Sequence, residues 1–141
     1  MSEALQRNPH VTITVTEDHA KRVLAPRGIT PEFASSLGIR SVQTVDDLPE
    51  EFRDHPRATL PGLLFPWRSP THGFVYQFRP DNPPEIDGRA AKYVFRRGAP
   101  SVLNELRPEG NTLLLVEGTM QSLAAALYAP KGVAVYGMAG C

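Results

Sequence analysis

The sequence predicts an α+β subdomain over residues 18–110, followed by the first β-α-β unit of an α/β, Rossmann-like fold over residues 111–141. Three observations predict it. The stretch "LPGLLFPWRSPTHGFVYQFRP" has the grammar of a hairpin, with two apolar runs around a polar turn at residues 69–73. The stretch "LLLVEGTMQSLAAALYAP" runs from four apolar residues through Glu117-Gly118 into a helical pattern. A second short apolar run, "VAVY", follows that helix after Pro130 and Gly132.

The elements follow in chain order. Residues 1–17 are a polar arm whose "VTITVT" patch reads as an edge strand or a loosely attached segment. From Asp18, "DHAKRVLAPRGIT" spaces Ala20, Val23 and Leu24 for a short helix that stops at Pro26 and Gly28. Thr30-Pro31 is an N-cap and first-turn pair, and "PEFASSLG" puts Phe33, Ala34 and Leu37 on one helical face. The acidic "DDLPEEFRDHP" reads as a helical turn or loop ahead of the hairpin. "PDNPPEIDG" reads as a stiff loop, and "AAKYVFRR" as a further strand carrying Tyr93, Val94 and Phe95. Residues 113–116 have the continuous apolar character of a strand buried on both faces. Met120, Leu123, Ala124 and Leu127 recur at helical spacing behind it, and residues 133–136 supply a second strand parallel to the first. Two parallel strands and one helix are too little for a doubly wound sheet. The expectation is therefore a fragment, or a missing half supplied by another chain, with an exposed apolar edge and face.

Composition narrows the function classes. Lys+Arg 15 balances Asp+Glu 15, so any nucleic-acid binding depends on a local concentration of cations rather than on overall basicity. Cys141 is the only cysteine, which excludes a disulfide framework and a thiolate zinc site and points to a reducing, cytoplasmic setting. The longest strongly apolar run is far too short for a bilayer, and the polar start lacks a signal-peptide core.

Glu117 is the residue with the most chemistry to offer. In an open parallel sheet, ligands collect beyond the carboxyl ends of strands, and Gly118 removes the Cβ that would obstruct the turn into the helix. A carboxylate there can bind Mg²⁺ or act as a general base, while the helix N-terminus beside it favours an anion. It can equally serve as a helix cap, and the local pattern leaves both readings open.

Over a longer span, "LLLVEGTMQSLAAALYAPKGVAVYGMAGC" resembles the opening of a TOPRIM domain, the metal-dependent module shared by bacterial-type primases, topoisomerases and some nucleases. Upstream, "VLAPRGITPEFASSLGI", the Phe-Pro hairpin "LPGLLFPWRSPTHGFVYQFRP" and "AKYVF" follow in the order found in bacterial-type replicative primases. The wording "VEGT", then Gln, then "GC" is closest to TOPRIM-like proteins of actinobacterial phages and mobile elements. The resemblance covers residues 18–141. It implies Mg²⁺-dependent nucleotidyl transfer on DNA, with Glu117 as catalytic base or metal ligand, single-stranded DNA and nucleotides as partners, a replicative helicase as a further one, and no membrane. Two departures matter. Gln121 stands where the primases usually place an Asp, and the later Asp-x-Asp motif does not occur in these residues. The chain by itself is therefore expected to be inactive, with Mg²⁺ bound only in a complete protein. The alternative function is a non-catalytic nucleic-acid-binding or adaptor module that keeps the fold.

A basic cluster supplies the second functional clue. Arg79, Arg89, Lys92, Arg96 and Arg97 crowd around the Pro-rich loop and the strand after it, and period-two alternation puts Lys92 and Arg96 on one face. Lys92, Arg96 and Arg79 are thus the candidate nucleic-acid contacts, and a solvated edge strand guarded by cations is the competing reading. Tyr93 and Phe95 are expected in the core, and Arg27-Gly28 to be structural, the Gly ending a helix and the Arg on the surface, with a groove contact as the alternative for Arg27. His10, His19, His55 and His72 are expected on the surface.

Overall fold

The computed structural model describes residues 11–140. It is a mixed α/β fold, mostly sheet with a few helices, and the hairpin is its centre. Strands β1 (Arg40–Val42), β2 (Gly62–Ser69), β3 (Gly73–Pro80) and β6 (Val94–Phe95) form one antiparallel sheet in the order β1-β2-β3-β6. Strands β2 and β3 pair along their whole length, from Gly62 opposite Pro80 to Ser69 opposite Gly73. A small hairpin, β4 (Glu85–Ile86) with β5 (Arg89–Ala90), projects from the connection between β3 and β6.

Strand β2 is buried along nearly all its length because each of its faces meets a different core. Its period-two alternation sends Leu63, Phe65 and Trp67 into one cluster, with Leu24, Ile29, Phe33, Leu123 and Leu127. Leu64 goes the other way, joining Val42, Phe52, Phe78 and Val94. Each such side chain contributes about 1.5–3 kcal/mol on full burial, which explains why the strand tolerates no charge until Arg68 near its end.

The helical segments cover the first core. Helix α1 (Glu17–His19) is capped by the Thr16 hydroxyl and continues as a π turn (Ala20–Leu24) and a 3₁₀ turn (Ala25–Arg27); α2 (Pro31–Ser36) is capped by Thr30 as expected. The patch ahead of α1 is neither a strand nor loosely attached over its described residues. Ser41 N–H donates to the Thr14 carbonyl at 2.9 Å, Thr16 N–H donates to Ser41 Oγ at 2.8 Å, and Val15 is buried. Residues 1–10 lie outside the described residues. His19 corrects the expectation of a surface histidine. It is only 2% exposed, with Nδ1 at 2.6 Å from Ser41 Oγ and Nε2 at 2.7 Å from Asp81 Oδ1. An imidazole with partners on both nitrogens can be buried, whereas periodicity reads only its polarity.

The last third of the chain forms the expected β-α-β unit. Strand β8 (Thr112–Glu117) leads into α3 (Thr119–Tyr128), and β9 (Val133–Met138) returns parallel to β8, with Leu115 opposite Tyr136. Strand β7 (Asn104–Arg107) joins antiparallel to β9, giving the order β7-β9-β8. The unit therefore draws in residues ahead of 111, and α3 shares the core of the N-terminal helices and β2. Helix α3 lies close on β9: a Cβ at Gly137 would sit 2.6 Å from Ser122 Oγ, a separation that only glycine permits there. The doubly buried strand is overturned. Leu113, Leu114 and Leu115 are 65%, 40% and 49% exposed: β8 is the edge of its sheet, with β9 on one side alone, and its alternating leucines are left largely uncovered on both faces. Among the described residues, no helix is long and apolar enough to cross a membrane.

Candidate nucleic-acid interface

The turn after β8 sets the geometry. Glu117 pairs in register with Met138, and Gly118 extends that pairing by donating its N–H to the Met138 carbonyl at 2.9 Å. Gly118 then leaves the strand at φ 97°, ψ 140°, a conformation open almost only to glycine, and its carbonyl accepts the first helical bond, from Ser122 N–H at 3.0 Å. The N-cap position of α3 is thus Gly118, one residue after the carboxylate. Glu117 and Gln121 are exposed, and the Gln121 side chain folds back over Gly118. Among the described residues, no group of three or more His, Cys, Asp or Glu side chains comes together in a way that could hold an ion. These residues do not amount to a Mg²⁺ site of their own, since the ion keeps most of its waters and takes several carboxylates or phosphates as ligands.

What the turn does face is a basic groove of about 870 Å³. One wall is Gly118, Thr119, Met120 and Gln121 at the start of α3. The opposite wall is the segment from Arg89 to Tyr93, with Arg57 and Arg27 at its margins and Gln77 and Phe95 in the floor. Among the described residues four cations, Arg27, Arg57, Arg89 and Lys92, line it, and no Asp or Glu does. Arg57 builds this wall, donating from Nη1 to the Arg89 carbonyl at 3.0 Å and from Nη2 to the Ile86 carbonyl at 3.1 Å. It thereby fastens the β4-β5 hairpin and brings its own charge to the groove. The Tyr128 hydroxyl donates to the Gly28 carbonyl, tying the end of α3 to the turn that carries Arg27.

The predicted basic contacts part company. The segment after the Pro-rich loop pairs with β3 only at Val94 and Phe95, and a bend at Lys92 and Tyr93 breaks the alternation. Lys92 consequently lines the groove beside Tyr93. Arg96 borders a separate depression with Asp54, His55 and Arg97, its Nε 3.8 Å from a Glu51 carboxylate oxygen. The two do not share a face. Arg79 is not a groove residue either: its Nε is enclosed, and its guanidinium lies by Tyr93. Burial pushes the Tyr93 hydroxyl above its ordinary value, against the pull of Arg79 and Arg27. Tyr93 and Phe95 pack edge-on to Phe65 and Trp67 at centroid distances of 6.0 and 5.2 Å, half-buried against the core and lining the groove as well.

Residue reasoning missed Arg57 and Gln77. Arg57 carries no local signal, because the carbonyls it holds are 29 and 32 residues away. Gln77 did carry one. It is an amide inside the apolar run of β3, and a buried polar side chain has to find partners. Arg27 lines the groove, the alternative left open for it beside a structural role, while Gly28 ends the helical segment as expected. Compared with known proteins, the chain matches no family model, no curated protein and no solved structure.

Proposed function

We propose that this chain binds single-stranded nucleic acid along the basic groove, as part of a protein of the TOPRIM, primase-like kind. The observation that carries the reading is the groove itself. Cations from three stretches far apart in sequence meet the N-terminus of α3, and among the described residues no Asp or Glu lines the surface with them. In a chain with no net charge, such a concentration is the local electrostatic footprint that polyanion binding requires. The Glu-Gly turn and the ordered resemblance of the upstream segments support the primase-like reading. Nucleotidyl transfer with Mg²⁺ goes with it only where further carboxylates join Glu117; without them the protein is a nucleic-acid-binding module.

Salt dependence tests this. Arg89→Ala with Lys92→Ala should weaken binding to a single-stranded oligonucleotide and flatten the slope of log K against log salt by roughly 0.7 per lost phosphate contact. Base preference should not move. Arg96→Ala, in the separate depression, should leave the slope alone. A double variant with the wild-type slope, followed by fluorescence anisotropy, would remove the groove from nucleic-acid binding.

A further inference from the structure

We infer that the groove floor holds a phosphate-binding subsite, in which the Gln77 amide and the opening N–H groups of α3 receive phosphoryl oxygens; this rests on the groove being an anion site. Gln77 is 2% exposed and sits in β3 opposite Phe65 and Phe95, on a face that is otherwise largely aromatic. Its Oε1 accepts two hydrogen bonds, from Trp67 Nε1 at 3.2 Å and from Thr119 Oγ1 at 2.8 Å. An indole nitrogen can only donate, so the amide's oxygen, not its nitrogen, faces Trp67. That settles which way the amide points.

The oxygen is thus saturated, and the nitrogen is left with two donors and no acceptor among the described residues. Arg79 Nε is the one fully enclosed side-chain nitrogen or oxygen lacking a partner there, so Gln77 Nε2 keeps contact with the groove that Gln77 lines. Thr119 joins this donor to the helix. It is the first residue of α3, and the hydroxyl that fixes the amide brings the amide against the helix N-terminus, where N–H groups and the helix dipole favour an anion. A ligand here must offer several oxygen acceptors, bring no donors and carry negative charge to meet Arg89 and Lys92. A phosphate group does all three. Free nucleotides and the nucleic-acid backbone both present it.

The test uses Gln77→Glu, which keeps an oxygen for Trp67 and Thr119 but turns the donor into a carboxylate. ATP and a 5′-hydroxyl oligothymidylate, titrated in phosphate-free buffer, are the probes. We expect binding of one or both to weaken at least about tenfold, the size of one charge-assisted hydrogen bond lost. A loss confined to ATP assigns the subsite to free nucleotide, and a loss on the oligothymidylate assigns it to the backbone. Gln121→Glu alters the same groove wall from an exposed position and should weaken the same probe severalfold; it decides the matter if Gln77→Glu does not fold. Binding of both probes at wild-type strength by the folded variant overturns the subsite. If the Arg89 and Lys92 substitutions still weaken the oligothymidylate, the groove reading survives that result. If the wild type binds neither probe, both readings fall.

Discussion

Gly118→Ala is the substitution through which the Glu-Gly turn can be judged, because two separate costs meet at that position and the structure assigns each a size. The first is conformational. At φ 97° and ψ 140° an alanine is in territory that L residues rarely enter, at a cost of about 1–3 kcal/mol. The second is steric. The new Cβ would lie 2.4 Å from Gln121 Oε1, but Gln121 is exposed and unbranched and can rotate away for a fraction of that. Alanine also stiffens the unfolded chain, which returns roughly 0.4–1 kcal/mol. The net expectation is a loss of about 1–2 kcal/mol, read as a lower urea midpoint at unchanged m. Because the backbone term dominates, Gly118→Ala with Gln121→Ala should recover only about 0.5 kcal/mol or less. Full recovery in the double variant would mean that Gln121 packing, not backbone conformation, demands the glycine. A single variant as stable as the wild type would refute both.

The other predictions concern parts of the fold away from the turn. His19→Ala removes a buried side chain bonded at both nitrogens and takes one partner each from Asp81 and Ser41, so it should cost about 2–4 kcal/mol in thermal denaturation; a change under about 1 kcal/mol would make the network incidental. His55 should titrate below its ordinary 6.5, because burial first and then the Arg97 and Arg57 charges disfavour its protonated form, against a backbone bond at Phe95 that favours it. The unfolded state then binds the proton more readily, so the stability from this group is present above pH 6.5 and is lost as pH falls from there through the lower folded value. An NMR titration midpoint at or above 6.5 would contradict this, and Arg97→Ala should raise the midpoint. The exposed leucines of β8 predict concentration-dependent self-association in sedimentation velocity, abolished by Leu113→Lys with Leu115→Lys; a wild type that stays monomeric at every concentration would count against it.

Much of the local grammar was legible in the sequence. The hairpin, the Thr30 cap, the Gly28 stop and the strand-helix-strand order at residues 112–138 all appear where turn chemistry and periodicity put them. These features depend on neighbours within a few residues, which is the range over which φ preferences, capping and amphipathic spacing act. Burial was legible only in part. The apolar run at residues 113–116 reads the same whether its strand lies at the centre or at the edge of a sheet, and the edge position here depends on which strand β9 takes as its second partner.

The candidate site divides along the same line. Glu117-Gly118 announces itself as a turn from strand to helix, and the need for glycine at that bend is a property of the backbone there. Which cations face it was decided only by tertiary structure. A two-residue strand and a bend separate Lys92 from Arg96, Arg57 reaches carbonyls about thirty residues on, and Gln77 meets Trp67 and Thr119 from three different elements. Sequence by itself determined the chemistry available to this protein and the local shape of its central turn. The company each charged or polar group keeps was settled by long-range packing, because electrostatic and hydrogen-bonding partners are chosen by distance in space, and spacing along the chain does not encode that distance.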